Sequence, residues 1–160
     1  VKVDPVFYKK NIVNILEKNF ILIYTKIQRN ASKIIKNIYF KSKNEILSKM
    51  VKQVESFRSI FEGKSKISNI GKLLDQGWTY KKKLSVNNIS NSRIDKMYNL
   101  AKKNGALGGK ICGAGGGGFL LIYVDKKNQP KIKKAFKNYP FFDFQFDLTG
   151  SRITYYDERY

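Results

Sequence analysis

Apolar residues step by three and four through most of the first hundred positions, and then the pattern changes to short, nearly continuous runs. Ile12, Ile15 and Leu16 recur at helical spacing between about residues 7 and 18. "FILIYT", residues 20–25, is short, β-branched and almost unbroken, which predicts a buried strand. After "IQRNAS", where Asn30 or Ser32 is placed to cap a helix, Ile34, Ile35, Ile38 and Tyr39 make a stripe reaching about Phe40. A helix starting at Ser42 carries Ile46, Leu47, Met50, Val51, Val54, Phe57, Ile60 and Phe61 and stops at Gly63. Ile67, Ile70, Leu73, Leu74, Trp78 and Leu84 outline the next, and Ile94, Met97, Tyr98, Leu100 and Ala101 the one after, closed by "KKNG" with Gly105 past its end. These stripes predict faces turned to the core.

The period then shortens. "ALGGKIC" and "FLLIYVD" predict two strands joined by glycines, residues 128–137 a basic helix, "FFDFQFD" a half-exposed strand, and "SRITYY" one strand more. "VKV" at the start predicts a short extended piece. From residue 20 the order is strand, helices, strand, strand, helix, strand. That is an α+β fold, a ferredoxin-like βαββαβ sandwich with extra helices inserted after its first strand, in which the glycine-linked pair is the central hairpin. At 160 residues, one domain over 1–160 is expected.

Charge adds an attraction without choosing its object. Lys and Arg number 32 against 12 Asp and Glu, a net charge of +20 that would draw nucleic acid, an anionic membrane or phosphorylated small molecules. Lysine dominates, and the scarcity of bidentate arginine counts against a dedicated nucleic-acid reader; a solvated basic surface is the simpler reading. The single cysteine, Cys112, allows no intrachain disulfide and points to a reducing compartment. No apolar run approaches a membrane span and no signal-peptide pattern is present, so a cytoplasmic protein without membrane contact is expected. The chain has no histidine, which excludes His-based general-base catalysis, Ser-His-Asp triads and His-containing metal sites within it.

Candidate chemistry gathers at "CGAGGGGF", residues 112–119. Gly113, Gly115 and Gly118 satisfy G-x-G-x-x-G, but a strand-like run follows where a dinucleotide site needs a helix. "GALGGK" has a Walker A look, yet its spacing is one residue short and Ile111 replaces the Ser or Thr that would meet Mg2+. An RNA-recognition sheet shares the βαββαβ order and would use Phe119 for stacking, but Leu121 and Ile122 stand where a second aromatic is wanted. A plain hairpin needs only one or two glycines, so the run implies close backbone approach or repeated positive φ that aims amides at an anion.

The stretch "GALGGKICGAGGGGFLLIYV", residues 105–124, resembles the third conserved motif of the GHMP kinases, the superfamily of galactokinase, homoserine kinase, mevalonate kinase and phosphomevalonate kinase. "LIYTKIQRNAS", "LLDQGWTYKKKLSVNNISNSRIDKMYNLA" and "GSRITYY" resemble its D-glycero-D-manno-heptose 7-phosphate kinase branch, which phosphorylates the anomeric hydroxyl for surface polysaccharide synthesis. The resemblance implies that the loop of Gly113, Ala114, Gly115, Gly116, Gly117 and Gly118 packs against a phosphate-binding loop and lines the ATP cleft. It also implies that a partner N-terminal domain, unmatched in these 160 residues, carries that loop, the catalytic carboxylate and most of the binding of ATP and Mg2+. The chain then resembles the C-terminal half of such a kinase, as a fragment or a truncated gene product, with "VKVDPV" near the crossing between halves and no turnover expected of it alone.

Arg29 and Lys110 are the candidate contacts to the sugar phosphate or the transferring phosphoryl group, against plain readings as a helix-capping surface arginine and an outward strand lysine. No catalytic residue and no metal ligand are assigned within the chain. Lys82, Ser90, Asn91 and Arg93 fall in resembling segments without an assigned role. Trp78 and Cys112 are expected to pack, and Asp75, Asp95 and Asp143 to lie on the surface without partners. Two alternatives stay open: an RNA-binding ferredoxin-like module, and a domain that keeps the fold without catalysis.

Overall fold

A computed structural model describes residues 5–28, 44–84, 89–147 and 149–157. The predicted "VKV" extension and the stripe of residues 30–40 lie outside them. In chain order the elements are α1 (Lys10–Asn19), β1 (Phe20–Tyr24), α2 (Asn44–Phe61), α3 (Asn69–Leu84), α4 (Ser92–Lys103), β2 (Ala106–Ile111), β3 (Phe119–Val124), a 3-10 turn (Lys126–Asn128), α5 (Gln129–Ala135) and β4 (Phe141–Phe142). The four strands form one antiparallel sheet in the order β2-β3-β1-β4, the ferredoxin-like arrangement predicted from the sequence.

Alternation along the strands builds the core. Ile21 and Ile23 of β1 and Leu120, Ile122 and Val124 of β3 point to one face, where Ile94, Met97 and Ala101 of α4 and Ile132 beside Phe136 of α5 cover them. A second cluster joins Ile12 and Leu16 of α1, Ile60 of α2, Ile70 of α3 and Tyr123 of β3. Helix α3 lies directly on β2: a Cβ at Gly108 would stand 1.9 Å from Gly71 O and 2.8 Å from Asp75 N, so only glycine permits this approach. Helix α4 ends as its sequence predicts, Gly105 taking φ +98° after the last turn, and Asn91, assigned no role from the sequence, caps its start by accepting from Ile94 N at 3.0 Å.

Three sequence expectations need correction. Val51 and Val54 are 68% and 59% exposed, while Gln53 is buried and donates to Gln76 Oε1 at 2.9 Å and Leu73 O at 3.3 Å. Helix α2 meets α3 along Met50, Gln53, Phe57 and Ile60, and a rotation of about 100° per residue carries the two valines off that line. "FFDFQFD" pairs only through Phe141 and Phe142; the chain then leaves the sheet, with Phe144 against Phe20 and Phe146 and with Phe146 N donating to Glu17 Oε1 at 2.9 Å. "SRITYY" forms no strand: it pairs with none of the four strands of the sheet, and Ile153, Tyr155 and Tyr156 stand in solvent, so that its backbone groups are left to water.

Candidate functional site

Residues 112–118 close the hairpin between β2 and β3, with Cys112 N donating to Phe119 O at 2.9 Å. Gly113, Gly115, Gly116 and Gly118 all have φ between +72° and +105°, the repeated positive φ anticipated from the sequence. The loop is threaded between two other backbone stretches. On one side Gly118 N donates to Ile27 O at 3.0 Å, and on the other Gly116 N donates to Ile89 O at 2.8 Å. A Cβ at Gly117 would meet Ile27 O at 2.5 Å, and one at Gly115 would meet Ile89 O at 2.7 Å.

Side chains fasten both ends. Thr25, fully buried one residue past β1, donates through its N at 2.9 Å and its Oγ1 at 2.8 Å to the same carbonyl, Gly118 O, and its Oγ1 accepts from Ile27 N at 3.3 Å. Lys81, in the last turn of α3, donates through Nζ to Gly113 O. The expectation that these glycines aim their amides at an anion is therefore revised for Gly116 and Gly118, whose amides serve the loop itself. What the loop presents outward is exposed Gly113 and half-buried Gly116, a surface almost without side chains.

Arg29 lies outside the described residues. Lys110 sits half-buried on β2, opposite Leu121, and its side chain makes no hydrogen bond or ion pair among the described residues. It shares a cavity of about 180 Å³ with Gln53, Phe57, Leu74, Trp78 and Lys81, so the structure brings Lys110 and the anchor of the glycine loop to one place. Trp78 is 1% exposed, as a core residue should be, and its indole Nε1–H has no partner among the described residues. Half-buried Cys112 stands just past the end of β2 rather than within it.

Two of the carboxylates expected to be unpartnered are not. Asp75 accepts from Tyr98 Oη at 2.5 Å and from Lys102 Nζ at 2.9 Å, and Lys102 also reaches Leu107 O at 3.0 Å, tying α3, α4 and β2 together. Burial, and next the hydrogen bond to Asp75, hold the Tyr98 phenol far above its ordinary range. Asp95 accepts from Lys82 Nζ at 3.1 Å and Ser90 Oγ at 3.0 Å, which assigns structural roles to both donors. Asp143 is exposed, as expected. Among the described residues no three Asp, Glu, Cys or His side chains gather as a metal site would require. No described helix is long and apolar enough to cross a membrane.

Sequence reasoning passed over Thr25, Lys81 and Ile89. A faint signal exists for Thr25, the first polar residue after an unbroken apolar run. Lys81 is one of three consecutive lysines, and nothing local separates it from its neighbours. Beside the loop, Phe119 contacts Tyr24 and Phe142 with ring centroids 5.3 Å apart in each case, and Leu22 and Leu121 face each other in register between them. These five side chains belong to neither buried core.

Known proteins share this arrangement. The family described as GHMP kinases C terminal matches residues 54–140, which contain α3, the hairpin and its glycine loop. The D-glycero-alpha-D-manno-heptose 7-phosphate kinase of Campylobacter jejuni is 30% identical over 159 residues, covering 92% of this chain and 45% of that protein. Among solved structures, the mevalonate kinase of Methanococcus jannaschii superposes with a TM-score of 0.68 at 24% identity, over 84% of this chain and 41% of that one. A D-glycero-D-manno-heptose 1-phosphate kinase from Bacteroides thetaiotaomicron gives 0.52 at 22% identity, over 91% and 38%. The chain thus spans under half the length of each of these proteins.

Proposed function

We propose, from the premise that this chain belongs to the GHMP kinases C-terminal family, that it forms one wall of an ATP-dependent sugar-phosphate kinase site whose other wall is a separate phosphate-binding domain. The observation that carries this reading is the loop of residues 113–118, shaped from within the chain and nearly bare of side chains on its outer surface. Phosphoryl transfer depends on positioning and on neutralising charge, so its site divides readily between two domains.

Roles follow from the geometry. Gly113 and Gly116 let the opposing phosphate loop approach at backbone distance, which excludes water from the transferring group. Thr25 and Lys81 fix that surface in place. Lys110 supplies positive charge beside the loop, and Arg29 remains a candidate for the same task. The glycine surface fits the flank of an ATP site; ATP with Mg2+ supplies the phosphoryl group and is held mainly by the other domain. The acceptor that the Campylobacter relative favours is D-glycero-D-manno-heptose 7-phosphate, phosphorylated at its anomeric hydroxyl for surface polysaccharide synthesis in the cytoplasm.

The test pairs the 160-residue chain with a GHMP phosphate-loop domain, covalently or in trans, and assays ATP-dependent phosphorylation of heptose 7-phosphate. Turnover by the pair and none by the chain alone is expected. A pair that binds but never turns over points to the catalytically silent alternative. The aromatic trio Tyr24, Phe119 and Phe142 favours the RNA reading over a bare sheet, although edge-on packing of Phe119 against Phe142 leaves no flat platform. Low-salt RNA binding that Phe119→Ala weakens would support that reading.

A further inference from the structure

Residues 152–156 carry the pattern of a strand without a sheet. Ile153 and Tyr155 alternate with Arg152 and Thr154, and Ile153, Tyr155 and Tyr156 are between 75% and 82% exposed. No backbone group of residues 152–156 bonds another described residue. The run is entered through a built turn: the Asp147 carboxylate accepts from Thr149 N at 2.8 Å and from Thr149 Oγ1 at 2.6 Å, and Gly150 takes φ +68°. An alternating run with unpaired ladder groups is a template for pairing with another strand, and left bare it is a liability.

The chain's own sheet has no long edge to give it, in this copy or in a second one. At one edge, β4 pairs through two residues before the chain leaves the sheet. At the other, Leu107 O of β2 already accepts Lys102 Nζ at 3.0 Å, and α3 lies against the strand. The Campylobacter relative, by contrast, has more than half of its length outside the part that this chain covers. The chain leaves the sheet past Phe20, where Phe144 and Phe146 sit, and the glycine loop lies beyond the other end of β1. That strand is five residues, about 17 Å, so a second domain of ordinary size reaches both places.

Resting on the kinase reading above, we infer that residues 152–156 add as an edge strand to a sheet of the phosphate-loop domain. Main-chain hydrogen bonds of the new ladder supply the affinity, Ile153 and Tyr155 enter that domain's apolar face, and Arg152 and Thr154 stay in water. The two domains are then held at two points, which fixes the angle at which the glycine loop meets the phosphate loop.

Hydrogen exchange tests this on the chain alone and on the chain mixed with the part of the Campylobacter relative that it does not cover. Alone, the amides of residues 152–156 should exchange as in an unstructured peptide, while those of Gly116 and Gly118 are already protected. In the pair, every second amide of 152–156 should slow by about a hundredfold or more. Ile153→Lys should weaken the pair by about tenfold and Thr154→Lys should not, and both should leave the thermal unfolding of the chain alone unchanged, since these positions are exposed in it. A pair that turns over while 152–156 stay unprotected, or that tolerates Ile153→Lys, overturns the strand and leaves the kinase reading standing. Protection in a pair without turnover supports the strand and counts against the kinase reading. Protection in the chain alone that rises with its concentration overturns the inference in favour of a second copy, and a pair that never associates overturns both.

Discussion

Thr25 places two donors, its amide at 2.9 Å and its hydroxyl at 2.8 Å, on the single carbonyl of Gly118. The two residues are far apart in sequence and meet because β1 and β3 are adjacent antiparallel strands whose Tyr24 and Phe119 face each other. The last glycine of the loop is therefore fixed to the middle of the sheet.

Thr25→Val keeps the shape and removes the hydroxyl. The Gly118 carbonyl retains the amide bond, but Ile27 N loses its acceptor in a buried setting, at a cost of about 1–2 kcal/mol. Urea unfolding should show the midpoint fall with an unchanged slope, and Thr25→Ser should recover part of the loss.

Substitutions in the loop separate shape from bulk. Gly115→Ala meets Ile89 O at 2.7 Å with φ +105°, and should lower stability by roughly 1–3 kcal/mol. Gly116→Asn is the cleaner probe of function, since asparagine tolerates the φ of +74° there whereas β-branched valine does not. In the chain paired with a phosphate-loop domain, Gly116→Asn should cut turnover by about ten- to a hundredfold while thermal unfolding stays nearly unchanged. Equal kinetics for the two proteins would reduce the run to a hairpin connection.

Alkaline stability follows from Tyr98. The folded chain holds its phenol protonated well above the ordinary value of about 10, first through burial and then through Asp75, and burial raises Tyr123 as well. The folded state thus keeps protons that the unfolded state releases. Stability from this source is full below about pH 10 and is lost as the pH rises beyond it. Urea midpoints measured across that range should show a declining limb, and Tyr98→Phe should make it shallower.

On α2 the two valines and the glutamine trade expected places. Val51→Lys and Val54→Lys should change stability by no more than about 0.5 kcal/mol, and Gln53→Ala should lower it by about 1 kcal/mol. Thermal melts of the three variants decide the order.

These residues also show how far the sequence carries. Among the described residues periodicity found the helices, the hairpin and the order of β1 to β4, because apolar alternation and helical stepping are local consequences of burial. It placed Val51 and Val54 inward by residue type, whereas the true face of α2 is set by its angle against α3, a tertiary fact. Asp75 and Asp95 read as solitary because Tyr98, Lys102 and Lys82 lie one helix away. The glycine run, with the family resemblance it carries, pointed to the candidate site, but the residues that shape its loop come from β1's end, the last turn of α3 and the approach to α4. Only the folded chain brings those three together.

Beyond the hairpin's own closure, the glycine loop bonds to Thr25, Ile27, Lys81 and Ile89. Under the kinase reading, such a surface would meet its counterpart as a rigid body, without a folding-on-contact step and its entropic penalty. Halves of this kind are suited to complementation: expressed as separate polypeptides they would assemble from parts already in their working shape, and the association rate would be limited by encounter instead of by ordering of the loop.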